Sequence, residues 1–231
     1  MIRNVYPKSA SQFWLDAWHY SASKKDRTAS DAAEEAFWQD CAPDYDVKSP
    51  LASLAIELIA DVIDLLNSGD EVLEIGPGTG AFTKRLYPHV SSWKGVEPSA
   101  AMRREFVRLW PAEMGRMPDL IPSKWEECNV AASDVVFTAN AVYRVRDMYD
   151  CLQRLNDAAK RRVIMVQTIG RPFADPLEVK LGDEIIERER ANAISDVLSE
   201  MNIEHRFRTY TVPRNEISCP VVLIDWCPAE L

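Results

Sequence analysis

Residues 71–86 read Glu71-Val72-Leu73-Glu74-Ile75-Gly76-Pro77-Gly78-Thr79-Gly80-Ala81-Phe82-Thr83-Lys84-Arg85-Leu86. A short apolar run carries a carboxylate near its end, three glycines follow at alternate positions, and an amphipathic segment begins. That order predicts a buried strand, a tight turn and a helix over about 79–88. Glycine suits such a turn because it tolerates positive φ and lets a ligand approach the backbone. The helix start then offers unpaired N–H groups and the positive end of a dipole to a negatively charged ligand group.

The spacing is Gly-x-Gly-x-Gly, not the Gly-x-Gly-x-x-Gly that cradles a pyrophosphate. It resembles motif I of the class I S-adenosylmethionine-dependent methyltransferases. The segment Trp93-Lys94-Gly95-Val96-Glu97-Pro98-Ser99-Ala100-Ala101-Met102 resembles the next strand of that family. Glu97 lies 21 residues beyond Gly76, about the interval that a βαβ unit imposes on the equivalent acid of dinucleotide folds. The resemblance implies S-adenosylmethionine as cofactor, with Glu97 accepting hydrogen bonds from both ribose hydroxyls. It gives the methionine tail to the turn Gly76, Pro77, Gly78, Thr79 and Gly80, and adds Glu74 and Pro98 to the binding set.

Composition bounds the rest. A chain of 231 residues with 47% hydrophobic side chains can bury one sizeable core. A net charge of −9 fits a soluble cytoplasmic protein and argues against a nucleic-acid partner, which normally demands a basic face. Arg103, Arg104 and Arg108 read as a solvated helix face. Cys41, Cys128, Cys151, Cys219 and Cys227 show no Cys-x-x-Cys pair, and His19, His89 and His205 stand far apart. Neither pattern predicts a metal site, and an odd cysteine count speaks against a disulfide framework. The best apolar stretch, 51–66, carries Glu57, Asp61 and Asp64, so it reads as an amphipathic helix and not as a membrane span.

Residues 1–48 contain no strand-like run and read as an N-terminal helical appendage or lid, with helices over 9–20 and 29–41. Asp31 and Glu34 stand at capping-box spacing. The stretch 36–46, from Ala36 through Trp38 to Tyr45-Asp46, resembles the entry segment of many small-molecule methyltransferases, which implies that Tyr45 packs near the cofactor. Residues 49–231 then form the cofactor-binding domain. Pro50 sits in a first helical turn after Ser49, and that helix stops at Asn67-Ser68-Gly69-Asp70. Strands are expected at 71–75, 92–97, 119–121, 133–139, 162–168, 205–212 and 218–226. Ser99 caps a helix whose stripe of Met102, Phe106, Leu109 and Trp110 is core. Further helices are expected at 147–159 and 183–201, with an irregular loop from Ile169 to Lys180.

Strand and helix alternation implies an α/β, doubly wound, mostly parallel sheet with helices on both faces. The resemblance implies seven strands in the order 3-2-1-4-5-7-6, the seventh antiparallel. Ligands of such sheets bind beyond the carboxyl ends of the strands, at the switch point. There the resemblance gives the adenine to Trp125 and Glu126, and the amino acid portion and incoming nucleophile to Ala139 and Asn140. It implies methyl transfer to a small-molecule acceptor. No general base is legible; His19 is the one histidine that the lid could carry over the site, and packing beside Trp18 and Tyr20 explains it as well. Motif I also resembles the rRNA adenine dimethylases, whose Asn-Leu/Pro-Pro-Tyr turn has its counterpart in Asn140-Ala141-Val142-Tyr143 without the proline. A binding or regulatory module that keeps the fold without transferring methyl groups is the remaining alternative. Whether the chain is a monomer or a homodimer stays open.

Overall fold

The computed structural model describes residues 6–22, 30–48, 56–171, 174–214 and 217–228. Expectations for Ser49 and Pro50 lie outside these. From the N-terminus come α1 (Ala10–Ala22), α2 (Asp31–Cys41), the short α3 (Tyr45–Lys48) and α4 (Ile56–Ile63). Then β1 (Glu71–Ile75), α5 (Thr83–Leu86), β2 (Ser92–Val96), α6 (Ala100–Leu109), β3 (Asp119–Ile121), β4 (Ser133–Ala139), α7 (Met148–Ala158) and β5 (Ala159–Thr168) alternate. A hairpin of β6 (Leu177–Leu181) and β7 (Glu184–Arg188) precedes α8 (Arg190–Glu200), and β8 (Arg206–Arg214) and β9 (Ile217–Trp226) close the chain.

Seven strands form one sheet in the order β3-β2-β1-β4-β5-β9-β8, and β6 with β7 forms a separate two-stranded sheet. Counted within the large sheet, this is the expected order 3-2-1-4-5-7-6. Pairing is parallel from β3 to β5, and β9 runs antiparallel to both of its neighbours. The expected strand at 119–121 is β3, although that region carries little apolar signal.

Both sheet faces are covered, which is why the strands read as continuous apolar runs and not as alternating ones. Side chains alternate between faces along a strand. Leu73, Ile75, Val163, Met165, Val222 and Ile224 pack into one core with Phe13, Trp14, Leu152, Ile194 and Leu198. Val72, Phe137, Ile164, Val166, Val221 and Leu223 fill the other with Leu58, Val62 and Leu86.

Two expectations are corrected. The segment 183–201 is not one helix. Leu181 pairs with Glu184 across the two-residue loop Gly182-Asp183, and Gly182 has φ +63, the positive value that a tight hairpin turn needs at its first position. Leu177 and Val179 on β6 are buried against the core, so the stretch expected to be irregular contributes a strand, and the helix starts only at Arg190. Within the segment 1–48, α1 is built into the core. Phe13 and Trp14 are at most 1% exposed, and α1 lies against β6, α7 and α8. The Trp14 indole donates to the Val145 carbonyl (2.9 Å), and Glu200 receives both the amide and the hydroxyl of Ser11 (2.8 and 2.7 Å). Apolar burial fixed α1 in the core, and α2 and α3 lie across the strand ends.

Because α1 shares the core, Trp14→Ala is expected to destabilise the whole fold by about 3–5 kcal/mol, the usual cost of emptying a buried aromatic site. A urea melt followed by far-UV circular dichroism measures it. A loss below about 1 kcal/mol would mean that α1 is a detachable appendage.

Candidate functional site

The turn after β1 is wedged between two other elements. Gly76 has φ +70, and a Cβ on it would stand 2.3 Å from the Ala141 Cβ; Gly80 has φ +80, and a Cβ there would meet the Phe106 ring at 2.7 Å. Handedness and space therefore both exclude a side chain. The Gly76 amide bonds to the Val96 carbonyl (2.9 Å) and the Gly80 amide to that of Pro77 (2.9 Å). Residues 79–82 continue as turn, so α5 begins at Thr83 and has only four residues. The expected helix over 79–88 thus starts four residues late, as α-helix over Thr83–Leu86 continued by a 3-10 turn over Tyr87–His89, and so short a helix adds little dipole. What the site offers a ligand comes from the turn itself and from the acid at the end of β2.

That acid is Glu97, 6% exposed. One carboxylate oxygen accepts from the Gly78 amide (3.0 Å), the other from the Ser99 amide (2.9 Å). Ser99 in turn caps α6 by accepting from the Met102 amide (3.2 Å), as its position before an amphipathic run predicts. Burial pushes the Glu97 carboxyl up to about 6, against the two amides and the charge of Arg103, which pull it down. Arg103 spans the Glu97 and Pro98 carbonyls (2.6 and 2.8 Å), fixing the exit of β2. A carboxylate oxygen accepts more than one hydrogen bond, so Glu97 keeps capacity for two ligand hydroxyls.

Glu74 sits deeper. It is 2% exposed and accepts from the Thr83 hydroxyl (2.5 Å) and the Trp93 indole (2.9 Å), tying α5 and β2 beneath the turn. Burial pushes it up to about 7; those two hydrogen bonds act the other way, and the charge of Glu97 adds to the rise. Glu74, Ala139, Pro77, Thr79, Tyr45 and Lys84 help to line a cavity of about 160 Å³ beside the turn. A larger hollow of about 340 Å³, between α1 and α7, involves none of these residues.

Residues 31–48 close over this edge of the sheet. Ser30 caps α2, accepting from the Ala33 amide (3.1 Å), so the capping-box expectation for Asp31 and Glu34 is displaced by one residue. Glu34 turns inward instead: its carboxylate accepts from the Trp38 indole (2.9 Å) and the Tyr143 hydroxyl (2.5 Å) and pairs with Arg144 (3.4 Å). Glu35 accepts from the Ala101 amide in the first turn of α6 (3.0 Å), and Asp31 pairs with Lys124 (2.5 Å). From α3, Asp46 accepts from the Thr79 hydroxyl and lies 3.6 Å from Lys84, and Tyr45 packs edge-on against Trp38. One segment thus touches the loops after β1, β2, β3 and β4.

Trp125, Glu126 and Asn140 complete the expected set. Trp125 is 5% exposed and packs in the core, with the Arg154 guanidinium over its ring at 5.2 Å; Glu126 is exposed. Asn140 has φ +51, a value that asparagine tolerates better than most residues. Its carboxamide is spent on Thr168, accepting from that residue's amide and donating to its hydroxyl (both 2.8 Å), so it clamps the ends of β4 and β5 together. His19 is exposed on α1 with its ring edge-on to Trp18. Among the described residues no three His, Cys, Asp or Glu side chains cluster as metal ligands, and no helix is long and apolar enough to cross a membrane.

A family model described as "Methyltransferase domain" matches residues 48–220. The chain belongs to this methyltransferase family. The match begins where α3 ends, so α1 and α2 lie before it. A search of curated proteins found no match. Among solved structures, the chain is similar to DhpI in complex with SAH, with 16% identity over 84% of this chain and 96% of that one and a TM-score of 0.61. It is also similar to magnesium protoporphyrin IX methyltransferase from Synechocystis PCC 6803, with 13% identity, coverage of 97% and 100% and a TM-score of 0.54. The N-methyltransferase NodS from Bradyrhizobium japonicum WM9 gives 12% identity, coverage of 75% and 94% and a TM-score of 0.55. At such identities the likeness is one of fold.

Sequence reasoning missed Glu34, Glu35 and Asp46 of this methyltransferase. Acids on a helix read as a solvated face, and nothing local tells which of them a tertiary contact will bury. Glu74 carries a testable consequence. Its folded pKa lies above the unfolded value, so ionisation costs stability, and its contribution rises as pH falls from about 8 toward 5. Glu74→Gln keeps an oxygen for Thr83 and Trp93 without the charge. It is expected to raise stability at pH 8 by about 1–3 kcal/mol and to flatten the pH dependence in that window. Denaturant melts at pH 8 and pH 5 measure this; a variant less stable at both would show that the charge itself is needed.

Proposed function

We propose that this methyltransferase takes its methyl group from S-adenosylmethionine and passes it to a small-molecule acceptor beneath the lid formed by residues 31–48, with the cofactor-binding unit beginning near residue 49. The observation that carries the reading is the Glu97 carboxylate. It is buried, held by two backbone amides that point it across the glycine turn, and retains acceptor capacity on both oxygens. A ribose diol fits that donor demand, and the Cβ-free turn beside it fits the close approach of an amino acid tail. Glu74 supports the turn from below and Tyr45 closes the cavity beside it, while Ala139 and Asn140 form the floor on the acceptor side.

When bound, the cofactor supplies an activated methyl group on a sulfonium, which leaves by in-line displacement. The chain's part is alignment, which contributes up to about 7–11 kcal/mol in well-oriented reactions. Gly76, Gly78 and Gly80 hold the tail, Glu97 fixes the ribose, and α2 excludes water through its contacts with Ala101, Lys124 and Tyr143. Aromatic rings of the lid, Trp38 and Tyr45, favour a nearby cationic sulfur by about 0.5–2 kcal/mol. A lid that touches four loops favours a pocket for a small molecule over a track for a polymer. The net charge of −9 and the Asn140 carboxamide committed to Thr168 also favour a small acceptor over an RNA base. Structurally similar proteins act on acceptors as different as a porphyrin and the substrate of an N-methyltransferase, so their fold does not name this chain's acceptor.

Isothermal titration with S-adenosylmethionine and SAH, with NAD as control, tests the reading. Micromolar binding of both sulfur ligands and none of NAD is expected; absence of binding would remove the cofactor and the reaction together. The pH dependence tests Glu97. A carboxyl with a pKa of about 6 loses one acceptor when protonated, so SAH affinity should fall by about tenfold between pH 7.5 and pH 5. Glu97→Gln is expected to bind about tenfold more weakly at pH 7.5, with no such pH dependence. The same pH profile in wild type and variant would take Glu97 off the ribose.

A further inference from the structure

Arg190 is the first residue of α8, delivered by the hairpin that interrupts the regular alternation of the fold. It is half-buried. Its guanidinium donates to two backbone carbonyls, those of Tyr143 (3.3 Å) and Asp175 (3.2 Å), and forms no ion pair among the described residues. The two carboxylates that act on it from farther away are engaged elsewhere. Glu189 accepts from the Gly170 amide (3.1 Å), and Asp175 lies 3.6 Å from Arg171. Burial lowers the Arg190 pKa, with Asp175 and Glu189 opposing, yet a guanidinium stays charged in proteins.

A half-buried cation whose hydrogen bonds go only to carbonyl dipoles, with Asp175 and Glu189 acting from farther away, has its charge compensated only in part, and an unpaired buried charge is costly. A guanidinium has five N–H donors in a fixed fork, of which the two carbonyls use two. The fork matches a carboxylate or phosphoryl group bidentately.

Its two partners lie on the loops that follow β4 and β5, at the carboxyl edge of the sheet. Gly76 has no room for a Cβ because Ala141 is packed on it. Tyr143 is two residues beyond Ala141, a span of about 7 Å at most, and its carbonyl is the one that Arg190 binds, while its hydroxyl reaches Glu34 on the lid. The loops after β4 and β5 and the start of α8 therefore meet at Arg190, and the Tyr143 side chain links that junction to α2.

We infer that Arg190 is a specificity-determining residue that pairs with an oxyanion, a carboxylate or a phosphoryl or phosphonyl group, carried by the methyl acceptor. The inference rests on the methyltransferase reading above and narrows its substrate class. A neutral acceptor would leave the guanidinium as uncompensated as it is in the free protein.

The test uses the full chain saturated with SAH and titrates in benzoate, phenylphosphonate and phosphonoacetate against the neutral benzamide and phenol. At least one anionic probe is expected to bind about tenfold or more tightly than the neutral ones. Arg190→Gln should abolish that preference while SAH affinity stays within about twofold, and Arg190→Lys should keep the preference in weakened form, because it retains charge without the fork. Failure of the wild type to bind SAH would bring down the methyltransferase reading itself. With SAH bound, no anion preference, or the same preference in Arg190→Gln, overturns the role of Arg190 alone. Loss of SAH binding in both variants would mark the arginine as a staple between loops and overturn it too.

Discussion

A side chain at residue 76 would collide with Ala141 and one at residue 80 with Phe106, and much of the site's construction follows from that close fit. The turn is pressed from one side by the loop after β4 and from the other by α6, so it has little freedom to adjust to a ligand. Such preorganisation lowers the entropy cost of binding. It also explains why glycines stand at both ends: the constraint is protein packing as much as ligand approach. The Glu97 carboxylate then draws the Gly78 amide toward it, and its partner Ser99 starts α6. Turn, acid and the helix that packs on the turn thus support one another.

The two buried acids differ by environment. Glu74 faces an indole and a hydroxyl in the layer under the turn and is displaced furthest, to about 7. Glu97 faces two amides and the charge of Arg103 and is displaced less, to about 6. Burial dominates both, two hydrogen bonds to the charged form oppose it in each, and the neighbouring charge differs, Glu97 beside Glu74 and Arg103 beside Glu97. The deeper acid holds secondary structure together, whereas the one nearer the surface has acceptor capacity left for a ligand.

The lid is a tertiary construction. Glu34, Glu35, Asp31 and Asp46 each reach a different loop at the carboxyl edge of the sheet. Individually such contacts contribute little when exposed, on the order of 0–1 kcal/mol for a surface ion pair. Their distribution is what distinguishes them: α2 reaches the elements that follow β2, β3 and β4, and α3 reaches the turn after β1. The β6–β7 hairpin has a similar consequence at the loops after β4 and β5, since it sets where α8 begins and so where Arg190 stands.

The sequence by itself determined the sheet and its central turn. Fully buried strands need continuous apolar runs, a left-handed turn needs glycine, and the acid 21 residues after Gly76 follows from the length of a βαβ unit. These are local requirements, written in local residues. The hairpin was also written locally, in Gly182-Asp183 between residues that pair as strands, but the charged residues of 183–190 favour helix equally well and their alternation is weak. Only tertiary structure decided that choice, because Leu177 and Val179 gain burial against α1 that a helix would not give them. It likewise decided the fates of Trp125 and Asn140, one drawn into the core under Arg154 and the other spent on Thr168. The lid acids and Arg190 each have a partner more than 30 residues away in the chain; a side chain's partner at that distance is fixed by packing, and packing leaves no periodic trace in the residue itself.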